Sequence, residues 1–360
     1  LKALSQFFFV QRRQFRIMDC HWKAVLVCAL TLSPALAAPS DVEVAFDDFV
    51  AKYGRTYENE EEKQKRFAIF ATHFQYIQKQ NALNSSFKLG VNEFADQAPH
   101  EFKSTRLGLS APPTGKLWGS LAFLGTHMYS GAALPTEVDW VNKSAVTSPK
   151  NQGTCGSCWT FSTTGALEGA WQIATGKLFS LSEQQLVDCS KADGNNGCGG
   201  GSMDPAFSYL QAHGSCTEAS YPYKAEAGTC MESNCTLEVP KNAIIGYHDV
   251  PTDDTKALME AIAKQPVSVA IEADQTNFQL YQGGVLTKSC GSSLDHGVLA
   301  VGYGTDNGVD YWKVKNSWGS SWGENGYIRI ERSSTSGPGE CGIKSMASYP
   351  IVSVSATIVV

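Results

Sequence analysis

Gln152-Gly153-Thr154-Cys155-Gly156-Ser157-Cys158-Trp159 sets two cysteines three residues apart, directly ahead of a stretch that reads as a helix from Ser157 to Gly169, with Trp159, Phe161 and Leu167 as its buried positions. Cysteine attacks as its thiolate. A helix N-terminus and a neighbouring imidazolium both favour that anion and lower the thiol pKa. Cys158 opens the predicted helix and is the candidate nucleophile, whereas Cys155 lies in the turn before it and suits a disulfide. A redox pair would need a βαβ context and an even remainder, yet two taken from the nine cysteines between Cys155 and Cys341 leave seven. A zinc site would need a second Cys-x-x-Cys or a His-x-x-x-His, and neither occurs.

A cysteine nucleophile needs a base, and from Leu134 onward the histidines are His213, His248 and His296. His213 precedes Gly214 at a predicted helix C-terminus, a setting for capping. His248 stands in a turn-like context between Gly246 and Pro251. His296, in Leu294-Asp295-His296-Gly297-Val298, comes just before a buried strand, where a sheet would fix the imidazole. The ring also needs an acceptor for its second nitrogen. Asn316 in Lys315-Asn316-Ser317-Trp318-Gly319 offers an amide oxygen, with Trp318 to shield it from water. Gln152 is the candidate side-chain donor to an oxyanion, beside the Cys158 N–H.

Further out, the cysteines mark compartments. Residues 29–154 hold none, so a piece of that region is removable without a covalent tie. The nine beyond it imply four disulfides and one thiol in an oxidising environment. Met18 is the expected start, leaving residues 1–17 as an untranslated or non-native leader. An apolar run from Ala24 to Leu36, too short to span a bilayer, ends in Ala35-Leu36-Ala37, so residues 18–37 read as a signal peptide. A net charge of −6 offers no footprint for nucleic acid, and no later stretch is long enough for a membrane span.

Three textures succeed one another. Residues 38–106 are charged and helix-favouring, with Phe46, Phe49, Phe67, Phe70, Phe74 and Tyr76 spaced for one or two amphipathic helices over 41–81. Residues 107–133 turn rich in Gly, Ala, Ser and Pro and read as a processing linker, with the cut expected near 120–134. Residues 134–360 form the main domain. There a capping box, Ser180-Leu181-Ser182-Glu183, and helices at Met203–Ala212 and Asp254–Ala263, the latter capped from Thr252 or Asp253, precede strands at 267–271, 297–303, 311–315 and 327–331. Helices then strands imply an α+β fold with two lobes.

Together with Pro135-Thr136-Glu137-Val138-Asp139-Trp140 and Trp322-Gly323-Glu324-Asn325-Gly326-Tyr327, these motifs resemble the papain family of cysteine proteases from about Pro135 to Pro350. Glu62, Arg66, Phe70, Ile77 and Asn81 match the ERFNIN spacing of cathepsin L-like pro-regions, with His73 where that pattern has Asn, and Gly90-Val91-Asn92-Glu93-Phe94-Ala95-Asp96 matches G-x-N-x-F-x-D. The resemblance implies a helical left lobe and a β-barrel-like right lobe with the active-site cleft between them, preceded by a helical inhibitory pro-domain. It implies an endopeptidase acting through a thioester, made as a zymogen, with Cys158 as nucleophile, His296 as acid/base, Asn316 as orienter and Gln152 as oxyanion donor. It also implies disulfides Cys155–Cys198, Cys189–Cys230 and Cys290–Cys341, leaving Cys216–Cys235 as a fourth. Substrate contacts are expected from Gly200, Gly201, Ser202, Asp295 and Trp318, and an apolar pocket from Met203, Ala270, Leu294, Gly297 and Met346, accepting Leu, Val or Phe second upstream of the cut. Polypeptides are the expected substrates, the pro-domain an intramolecular inhibitor and cystatin-type proteins possible partners of a monomer that needs no cofactor or metal. Sequons at Asn84, Asn142 and Asn234 are glycosylation candidates, and the destination is the secretory pathway, ending in a lysosome, vacuole or outside the cell.

Overall fold

A computed structural model of the chain describes residues 40–110 and 121–354. The expected leader, the signal peptide and the middle of the linker lie outside these residues. Asp41–Val352 begins with helices α1 (Asp41–Tyr53) and α2 (Glu60–Asn81), strand β1 (Phe87–Leu89) and helix α3 (Pro99–Arg106). The aromatic spacing of this region becomes a small core in which Phe46, Phe49 and Phe70 pack ring on ring. The ERFNIN-like positions tie α2 to β1 and α3. Arg66 binds Glu62 and Glu101, and the Asn81 amide pairs with both main-chain groups of Leu89. His73 is buried with Nδ1 2.9 Å from the Ala95 carbonyl, so the departure from Asn keeps a polar contact at that position.

The main domain continues through β2 (Phe123–Thr126), β3 (Val138–Asp139), α4 (Cys158–Thr175), α5 (Glu183–Cys189) and α6 (Met203–His213). Next come β4 (Ser215–Cys216), β5 (Leu237–Val239), β6 (Ile244–Val250), α7 (Thr255–Lys264), β7 (Val267–Ile271), α8 (Thr276–Gln279) and β8 (Tyr281–Leu286). Strands β9 (His296–Asp306), β10 (Val309–Lys315), β11 (Tyr327–Glu331) and β12 (Ala347–Val352) complete it. One sheet runs β1-β8-β11-β10-β9-β7-β12-β6-β2, with β3 joined to β9. The outermost strands are thus β1, from the segment ahead of the main domain, and β2, only three and four residues long, and such short edge strands offer little template for pairing with another chain. Gly284, at φ +89°, makes room for β1, because a Cβ there would lie 2.3 Å from the Ser86 carbonyl.

Three local readings shift. The helix after Cys158 continues to Thr175 and stops at Gly176, which adopts the left-handed conformation at φ +75°. α5 is capped by Ser182, whose side chain accepts from the Gln185 N–H, rather than by Ser180; Glu183 is instead buried against Lys150 at 2.7 Å. α7 takes Asp254 as its cap, because Asp254 accepts from the N–H groups of Lys256 and Ala257 while Asp253 is in the left-handed region. The stretch read as a linker is also structured at both described ends. Residues 107–110 lie against the main domain, and 121–130 dock through β2, the His127 ring on the Tyr349 hydroxyl, and Ser130 on Glu260 at 2.6 and 2.8 Å.

Candidate active site

Two elements meet at the candidate site: the N-terminus of α4, which begins at Cys158, and the start of β9, which begins at His296. Ser162 Oγ on α4 donates to the Val298 carbonyl of β9 at 2.7 Å, and the missing side chain of Gly165 makes room for Leu299, so helix and strand pack closely. This packing sets the Gly297 N–H 3.4 Å from Cys158 Sγ, one peptide unit from the imidazole. His296 Nε2 and Asn316 Oδ1 are 2.8 Å apart; the amide oxygen accepts, so Nε2 carries hydrogen. Nδ1 is buried and has no partner among the described residues. Trp318 lies on the imidazole with ring centroids 4.8 Å apart and is itself wedged among Phe94, Phe102, Phe278 and Trp322.

Gln152 is wholly buried. Its Oε1 accepts from Ser317 Oγ at 2.6 Å, which aims Nε2 at two carbonyls, Cys155 at 2.8 Å and Arg106 at 2.9 Å. Arg106 belongs to α3, so a peptide carbonyl of the pro-region rests on this amide. The chain continues across the thiol. The Leu109 N–H donates to the Asp295 carbonyl at 3.1 Å, Ser110 N–H to the Gly201 carbonyl at 2.9 Å, and Gly201 N–H to the Gly108 carbonyl at 2.9 Å. Leu109 is thereby bridged to Gly201 in parallel. Gly108 sits so low that a Cβ would lie 1.9 Å from the Gly156 carbonyl. Sequence reasoning left Leu107-Gly108-Leu109 in the linker; a glycine between two leucines was the signal available for a close crossing.

Met203, Gly297, Ala270 and Met346 come together. Gly297 is paired with Ala270, Ala270 donates to the Met346 carbonyl at 2.9 Å, and a Cβ on Gly297 would meet Met203 Sδ at 3.2 Å. Leu294 is half-buried beside Gly342. Ser202 precedes α6, with its hydroxyl buried and without a hydrogen-bond partner among the described residues. His213 and His248 are elsewhere: His213 stacks on Tyr209 at the end of α6 and binds Glu232 at 2.9 Å, and His248 lies in β6 with Nδ1 2.9 Å from the Gly125 carbonyl. Disulfides join Cys155–Cys198, Cys189–Cys230, Cys216–Cys235 and Cys290–Cys341, and Cys158 is the free thiol among the described residues.

The expected depression of the thiol pKa is not found. Burial pushes Cys158 up to about 11, against the N–H groups of Gly297, Gly108 and Trp159 that favour the anion, and burial pushes His296 down to about 4, against its bond to Asn316. Beneath residues 106–110, burial favours the neutral thiol and the neutral imidazole.

The family model described as papain family cysteine protease matches residues 134–351, and that of the cathepsin propeptide inhibitor domain (I29) matches residues 46–102. The chain belongs to the papain family. Vignain of Ricinus communis is 50% identical over 293 residues, 81% of each chain, and the cysteine protease XCP2 of Arabidopsis thaliana is 46% identical over 85% of each. Among solved structures, a recombinant stem bromelain precursor superposes with a TM-score of 0.80 at 38% identity, covering 88% of this chain and all of that one. A digestive procathepsin L 3 of Tenebrio molitor gives 0.76 at 38% identity, over 87% of this chain and all of that one. This papain-family member is therefore a cysteine-type peptidase that carries its own inhibitor domain, the arrangement of an inhibited zymogen. Among the described residues no helix is long and apolar enough to cross a membrane.

Proposed function

We propose that Cys158, His296, Asn316 and Gln152 hydrolyse peptide bonds once the pro-segment leaves the cleft. Water then reaches the pair, the penalty on charge falls, and the proton of Cys158 passes to His296 Nδ1. The thiolate attacks the substrate carbonyl carbon, and the oxygen takes up the electron pair between Gln152 Nε2 and the Cys158 N–H. His296 returns its proton to the departing amine, the C–N bond breaks, and a thioester remains. A water molecule, deprotonated by His296, attacks that thioester and releases the acid and the thiol. Asn316 keeps the ring in the orientation and tautomer this requires. The observation that carries the reading is the Arg106 carbonyl held 2.9 Å from Gln152 Nε2, a peptide carbonyl at the candidate oxyanion donor in a cleft that also holds the thiol and the imidazole.

The substrate backbone pairs with Gly200 and Gly201, with Ser202 at the pocket rim, and an apolar side chain second upstream of the cut enters between Met203, Ala270, Leu294, Gly297 and Met346, none of which is charged. Asp295 and Trp318 flank the other side. The pro-domain, residues 38–106, leaves with its cleft-crossing segment after cleavage in the region 107–133, and residues 134–360 act as a monomer open to cystatin-type inhibitors. Four disulfides support passage through the secretory pathway to a vacuole, lysosome or the exterior, with glycans on the exposed Asn84 and Asn142; at Asn234 the neighbouring Cys235 disulfide opposes modification. Titration of processed protein with an epoxysuccinyl thiol inhibitor is expected to label one cysteine per chain, abolish peptide hydrolysis and spare Cys158→Ser. Hydrolysis that persists in Cys158→Ser, or a wild-type protein with no labelled thiol, would overturn this assignment.

A further inference from the structure

The side of the cleft away from the apolar pocket carries two carboxylates that peptide hydrolysis by Cys158 and His296 leaves idle. Asp295, just before His296, accepts the Ala273 N–H at 2.8 Å through Oδ1, while Oδ2 is buried without a hydrogen-bond partner among the described residues. Asp274 comes directly after Ala273 and gives Oδ1 to Gln275 Nε2 at 2.9 Å, which leaves its Oδ2 available. The nearby Glu272 is fully engaged by the N–H groups of Gly291 and Ser293 and by Gln275 Nε2. In the precursor a cation fills the gap: Lys103 Nζ of α3 lies 2.7 Å from Asp274 Oδ2 and 3.8 Å from Asp295 Oδ2.

The path of the pro-segment tells which half of a substrate this corresponds to. Phe102 of α3 rests on Trp318 with centroids 5.0 Å apart, Arg106 reaches Gln152, and Leu109 is bridged to Gly201. The segment therefore crosses from the Trp318 side to the Gly201 side. Because the acyl half of a substrate pairs at Gly201, α3 and Lys103 occupy the half from which the amine departs. When the pro-domain goes, so does its ammonium, and Asp274 is left without its counter-charge beside Asp295, whose carboxyl burial pushes up to about 7.

We propose that Asp274, with Asp295 behind it, is a cation-accepting specificity element on the leaving-group side, so that the processed enzyme favours Lys or Arg in the first two positions after the cut. This rests on the peptidase reading and extends it to the opposite side of the cleft. Internally quenched peptides with Leu held upstream, and Ala, Lys, Arg or Glu varied downstream, test it through the ratio of kcat/KM values within each enzyme. The Lys-to-Ala ratio is expected at about two- to fivefold, the range of a single partly exposed ion pair, with Glu below Ala and the spread collapsing at about 1 M salt. Asp274→Asn should bring the ratio close to one, and Asp274→Lys should invert the order so that Glu leads. A wild-type ratio near one, or a preference for Lys that survives in both variants, overturns the inference. Enzyme that titrates no thiol and cleaves none of the peptides overturns the peptidase reading itself, and this inference with it.

Discussion

Replacing Gly108 by Ala should unlock the precursor without any cut. The new Cβ would sit 1.9 Å from the Gly156 carbonyl, whereas nonpolar contacts settle near 3.5 Å, so one of the two backbones must retreat by more than an ångström. Gly156 cannot be the one. It is bonded to Cys155, which is tied to Cys198, and its own N–H is bound to the Cys198 carbonyl at 3.1 Å. The φ of Gly108 is outside the left-handed region, so alanine brings a clash there and no backbone strain. Lifting the segment breaks the three bonds around it, Leu109 to Asp295, Ser110 to Gly201 and Gly201 to Gly108. At about 1 kcal/mol each, their loss weakens the closed state by about 3 kcal/mol, roughly a hundredfold rise in the open fraction. The assay is the rate at which an epoxysuccinyl inhibitor labels Cys158 in precursor kept at neutral pH, with intact mass showing that no cleavage has occurred. Gly54→Ala provides the comparison, since that Cβ meets nothing within 4 Å and only its φ of +59° is strained. A Gly108→Ala precursor labelled as slowly as the wild type would refute the idea that this crossing enforces latency.

Thiol reactivity should separate covered from open cleft by its pH profile: with Cys158 raised to about 11 by burial, alkylation of intact precursor by iodoacetamide is expected to climb about tenfold per pH unit from neutral into the alkaline range, while processed enzyme is already reactive in weak acid. A pH-independent rate in uncut precursor would contradict the neutral pair. Asp204, buried in the first turn of α6 and bonded to Ser348 Oγ, is held at about 7 by burial. Its folded pKa is above the unfolded value, so its penalty is absent below about pH 4, grows as pH rises and is complete above about pH 7. Asp204→Asn should therefore raise stability at pH 7.5 by about 2 kcal/mol, the helix N-terminus recovering part of the burial cost in the wild type, and change little at pH 4; thermal melts that shift equally at both pH values would count against it.

What could be read from residues alone divides along physical lines. The start of α4, the strands β7, β9, β10 and β11, and Cys158, His296 and Asn316 as candidates that the fold brings together were legible because each carries its signal locally, as helical spacing, as a buried apolar run, or as a reactive residue at the edge of such a run. β2 was invisible for the opposite reason: its four residues are held by main-chain bonds to β6, which leave no side-chain period, and its own pattern is largely exposed. The capping box at Ser180 failed because Glu183 has a stronger claim on it, the half-buried ammonium of Lys150 more than thirty residues earlier. Asp274 and Lys103 meet across 171 residues of sequence, so no spacing rule joins them. The thiol shows the same boundary most sharply. A helix N-terminus and a histidine argue for a low pKa, and both are present, yet three residues from a segment fifty positions upstream exclude the water on which that argument depends, and desolvation outweighs the dipole. The motif thus points to a candidate nucleophile, while the charge state of that thiol depends on what covers it, here residues 106–110.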